Sequence, residues 1–118
     1  MIFGGERMLG VKVEISRYID ASFPGWVECT LVDVAGDEHV FVEKVPLVTG
    51  VHLDAASIYP QSGVIACVVL GESERDDGRQ LVRVDTQTPW GVQSTAGKSR
   101  FDVLSEQMCE LFGEGGVG

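Results

Sequence analysis

Val11, Val13, Ile15, Arg17 and Ile19 alternate with Lys12, Glu14, Ser16 and Tyr18, apolar against polar at every position but Arg17. A period of two over nine residues predicts a long strand with one buried face. Pro24 and Gly25 break the chain, and Trp26 opens a second run reaching about Val34. A third run, residues 38–45, follows after Ala35, Gly36 and Asp37. Two short runs around a glycine predict a hairpin.

Centring that hairpin on Gly36 sets Asp33 opposite His39, Leu31 opposite Phe41, Cys29 opposite Glu43 and Glu28 opposite Lys44. Parity then sorts Val27, Cys29, Leu31, Phe41 and Val45 onto one face, with Glu28, Thr30 and Lys44 on the other. Glu43 is the misfit on the apolar side.

Residues 46–61 lack a period and predict a crossing segment with a turn of helix around Asp54 to Ser57. Val64 to Leu70 contains no charged or amide side chain, as a strand covered on both faces requires. Residues 71–78 predict a solvated turn and 81–84 the returning strand. Residues 86–98 then predict an ordered loop with a short edge strand from Gly91 to Thr95. Phe101, Leu104, Met108, Leu111 and Phe112 recur at steps of three and four, which predicts a closing helix from Val103 to Phe112 with Asp102 as N-cap and Gly113 as terminator.

The 18 Val and 5 Ile outnumber the 8 Leu and 6 Ala, an imbalance that favours strands. The fold class expected is mainly β: a small antiparallel barrel or strongly curved sheet with one C-terminal helix. A chain of 118 residues is one domain's worth. Its ordered core is expected over 10–112, with 1–9 and 113–118 flexible.

Eighteen acidic against nine basic residues give a net charge of −9. Binding to a phosphate backbone draws on Lys and Arg, so nucleic acid is not an expected partner. Anionic membrane surfaces are disfavoured for the same reason. No apolar run approaches the length of a bilayer span, and Met1 to Gly10 does not read as a signal peptide. Three cysteines, Cys29, Cys67 and Cys109, are an odd and widely spaced set that suits packing in a reducing compartment. A cytoplasmic location is the expectation.

Recognised catalytic and nucleotide motifs are absent from the sequence, and no cofactor is expected. One set of residues for acid–base chemistry is Glu43 with Glu28 and His39, since a carboxylate among apolar neighbours resists ionisation. A divalent metal would draw on His39, His52 and Asp54. Against these stand plainer roles: His39 paired with Asp33, His52 in a polar loop, and Glu43 at the mouth of the sheet. The acidic string from Glu72 to Asp77 lacks the calcium-loop pattern and reads as a solvated turn.

Aromatic residues at punctuated corners offer a recognition surface: Trp26 after Pro24 and Gly25, Trp90 between Pro89 and Gly91, and Tyr59 beside Pro60. The function expected is a non-catalytic protein or peptide interaction module, with self-association through a strand edge as one form of it. The alternative is a small hydrolase or isomerase, with or without a metal ion, using Glu43 with His39 or His52.

Overall fold

Val11, Val13 and Ile15 point to one side of the first strand and are buried, while Lys12 and Glu14 point outward. The computed structural model describes residues 8–112. Its strands are β1 (Met8–Asp20), β2 (Trp26–Val32), β3 (Glu38–Lys44), β4 (Gln61–Glu74), β5 (Gln80–Asp85), β6 (Arg100–Leu104) and β7 (Met108–Phe112). A four-residue helix, α1 (Val45–Val48), follows β3. Of the stretches expected to be flexible, Met8 and Leu9 instead belong to β1. The remainder, residues 1–7 and 113–118, lie outside the described residues.

All pairings are antiparallel, in the order β3-β2-β1-β4-β5-β6. Along one edge β1 takes β7 over Met8 to Val11 and β2 over Glu14 to Asp20; its other edge takes β4. Residues 61–67 of β4 pair with β1 and residues 68–74 with β5, so this strand passes from one ladder to the next. The result is a mainly β, strongly curled half-barrel. The two edges of the sheet are linked where Val34 N of the β2–β3 turn donates to Asp102 O of β6 (2.9 Å) and Thr95 N of the loop before β6 donates to Val40 O of β3 (2.8 Å). Phe101 packs across the same seam, 4.8 Å from the His39 ring and 5.6 Å from Phe41.

The hairpin faces follow the parity of the sequence, for Val27, Cys29, Leu31, Phe41 and Val45 are all buried. Its partners do not: Leu31 faces His39, Cys29 faces Phe41 and Val27 faces Glu43, two residues away from a hairpin centred on Gly36. The cause lies in the turn. Asp33 Oδ1 accepts the amides of Ala35 and Asp37, and Gly36 (φ 87°) sits in the left-handed region at the end of a three-residue loop. An even shift keeps every side chain on its face.

The closing helix is replaced by β6, a 3₁₀ turn (Ser105–Gln107) and β7. Phe101 and Val103 are buried while Asp102 and Leu104 are only half-buried, so period two governs before the turn. Gln107 fixes the corner, accepting Leu104 N at 2.9 Å and donating to Val32 O at 2.9 Å. Asp102 is not a cap; its carboxylate takes Nε and Nη2 of Arg83 at 2.7 and 2.9 Å.

Three smaller expectations also change. Residues 54–57 form a turn closed by Ser57 N to Asp54 O, and the helix lies instead at α1, where Pro46 suits the first turn. Residues 91–95 form no strand, because Thr86 holds this loop through Oγ1 to Val92 O (2.8 Å). Gly71 to Glu74 extend β4, which confines the solvated turn to the residues after it, and Val68 and Leu70 are exposed rather than covered.

Gly10 supports the crossing of β4, β1 and β7. A Cβ there would lie 2.3 Å from Val64 Cγ1 and 3.3 Å from Leu111 Cδ1. Gly10→Ala is expected to cost about 1–3 kcal/mol through overpacking against a stiff β-branched neighbour, measured as a lower urea midpoint.

Candidate functional site

The end of the sheet where β1 stops and β4 begins collects apolar groups that the core does not absorb. The β1–β2 turn, α1 and the approach to β4 all lie there, as the strand pairing requires. Pro46 and Leu47 of α1, Val64 of β4, Leu111 of β7 and Trp90 line an open cleft of about 440 Å³. Among the described residues no charged side chain lines it.

Trp90 is presented by the 86–99 loop. Buried Thr86 anchors the loop's base, and Gly91 (φ 69°) returns its amide to Gln87 O at 2.7 Å, which leaves Trp90 at the bend with 41% of its surface exposed. At the same end of the sheet Phe23 is 96% and Ile58 82% exposed. Single exposed apolar residues such as these are ordinary, but an apolar cleft with a half-exposed tryptophan on its wall is the pattern of a contact surface.

Of the three aromatic residues singled out in the sequence, Trp90 alone lines this cleft. Trp26 starts β2 on the outer face, with the Lys44 ammonium 5.7 Å over its ring. Tyr59 acts as a strut: its hydroxyl donates to Asp54 O at 2.8 Å and its ring packs on the core. Leu47, Phe23 and Ile58 were not singled out from the sequence, because each sits in a segment where no period marks a face, and Leu111 was assigned to the buried stripe of a helix that the structure replaces with β7.

The acid–base candidates do not converge. Glu43 lies opposite Val27 on the apolar side, and burial pushes its carboxyl up against the opposing pull of the Lys44 amide and ammonium. Glu28 is on the other face, bound by Arg17 at 3.0 Å. His39 Nε2 lies 2.8 Å from Asp33 Oδ2, with both side chains largely covered. His52 Nε2 lies 3.4 Å from Asp54 Oδ2 in an exposed loop. Among the described residues no three His, Cys, Asp or Glu side chains gather as metal ligands, so His39, His52 and Asp54 do not form one set. Burial pushes the Cys29 and Cys67 thiols up to about 12, which makes them poor nucleophiles.

Two titrations follow. Glu43 has a raised pKa, so the folded state loses stability as pH rises through it. Glu43→Gln is therefore expected to raise Tm at pH 7 and to leave it unchanged well below pH 4. Asp33 behaves oppositely. Burial raises it, but His39 and the amides of Asp37 and Ala35 outweigh burial and hold it below the ordinary 3.8. Its stabilisation is full above that value and is lost as pH falls through the lower folded-state pKa. Asp33→Asn should flatten the fall of Tm between about pH 5 and pH 2, read by calorimetry.

No family model, curated protein or solved structure matches the chain.

Proposed function

We propose that this chain is a non-catalytic protein-interaction module whose contact surface is the apolar cleft around Trp90 at the β1–β4 end of the half-barrel. The observation that carries this reading is the cleft itself, lined by Leu47, Val64, Leu111 and a half-exposed Trp90. A partner fitting it presents a bulky apolar side chain from a basic surface, since the chain carries a net charge of −9 and the cleft's described lining residues carry none. The three free thiols, two of them buried, suit a cytoplasmic setting. No helix among the described residues is long and apolar enough to cross a membrane.

A photo-crosslinking residue at position 47 tests the reading against one at position 76, in the turn beyond the far end of β4. A heterologous adduct from position 47 alone supports it. Equal adducts from both positions, or none from position 47, contradict it. An adduct at the mass of two chains from position 47 would make the partner a second copy.

A further inference from the structure

A second cleft, of about 320 Å³, opens where the β2–β3 turn meets the start of β6. Arg83, Lys98 and Arg100 line it together with Asp33 and Asp102 over the Phe101 ring. Three of the nine basic residues of a chain with net charge −9 thus share one small hollow.

The hydrogen bonds decide which charge the hollow can still accept. Both acids are already engaged. Asp33 Oδ1 takes the amides of Ala35 (2.9 Å) and Asp37 (3.0 Å), and its Oδ2 takes His39 Nε2 (2.8 Å). Both oxygens of Asp102 are held by Arg83. The cations retain unused donors. Arg83 keeps Nη1 without an acceptor among the described residues, and Arg100 has one long contact, Nε to Asp85 Oδ2 at 3.4 Å. The Lys98 ammonium has no oxygen partner among the described residues and rests 5.7 Å above the Phe101 ring.

We infer that this cleft binds a small oxyanion, a carboxylate or phosphate group, through Lys98 and Arg100 with Arg83 behind them. Planar guanidinium donors and a mobile ammonium are the groups that take such anions. Asp102 orients Arg83, and the Asp33 turn forms the opposite wall. The hollow is open to solvent, so binding is weak and falls with salt.

Amide NMR tests this with sodium phosphate and, separately, sodium acetate titrated against chloride at fixed ionic strength. The expected result is saturable shifts confined to Val34, Ala35 and residues 98–102 with at least one of the two anions. The double variant Lys98→Gln, Arg100→Gln should weaken that binding at least about fivefold. Lys44→Gln, beside Trp26, should leave it unchanged, and retained spectral dispersion shows that each variant is folded. Shifts that never saturate, that spread over the basic residues in general, or that persist in the double variant overturn the inference.

Discussion

Phe101→Ala is expected to lower the unfolding free energy by about 3–5 kcal/mol, the range for removing a buried phenylalanine. Phe101 is 3% exposed and lies where the two outermost strands of the curled sheet meet, against His39 and Phe41. Removing it opens a cavity at a seam bridged by few backbone bonds, Val34 N to Asp102 O and Thr95 N to Val40 O. A domain of this size is stable by only about 5–15 kcal/mol, so the variant forfeits a large share of its margin. Urea titration should show a lower midpoint with an unchanged slope. A loss under about 1 kcal/mol would mean that β3 and β6 are not packed together in solution.

Trp90→Ala is expected to have the opposite profile: a large effect on association and a small one on stability. A half-exposed residue on a loop contributes little to the core. An anchoring tryptophan at the centre of an interface typically carries about 2 kcal/mol or more, so affinity for the partner should fall about thirtyfold or further. Trp26→Ala provides the contrast. Trp26 lies under Lys44 on the outer face of β2, outside the cleft, and its removal should leave affinity within about threefold. Calorimetric titration of the purified partner against the two variants separates them.

The strands were legible because period two is a property of neighbouring residues. Val11, Val13 and Ile15 state their buried face outright, and the hairpin parity of Val27, Cys29, Leu31 and Phe41 holds in the structure. Beyond Ile15 the expected face is overturned, because a register shift against β2 leaves Arg17 and Ile19 exposed and turns Tyr18 onto the core. Register was not legible at the same level. It depends on Asp33 capping the amides of Ala35 and Asp37, which moves the centre of the turn off Gly36. The C-terminal segment misled for a different reason. Phe101, Leu104, Met108 and Leu111 fit a helical stripe as well as two strands with a corner, and only the available edges of β5 and β1 select the strands.

The candidate site was half legible. Trp90, set between Pro89 and Gly91, could be placed on a loop from the sequence, yet its companions could not. Leu47, in the middle of the chain, and Leu111, near its C-terminus, come together to form one cleft. Phe23 and Ile58 look like ordinary core residues by composition, and only the folded chain reveals that they are left bare. Sequence also paired Glu43 with His39 or with His52 as an acid–base alternative, but the sheet distributes the three over the hairpin's apolar side, the Asp33 turn and an exposed loop.

The most direct test of the interaction surface is hydrogen exchange of the protein with and without its bound partner. Protection is expected over residues 46–50, 62–64 and 90–91, with the 75–79 turn exchanging at its free rate. Protection centred on that turn or on the outer face of β2, with the cleft unchanged, would contradict the account.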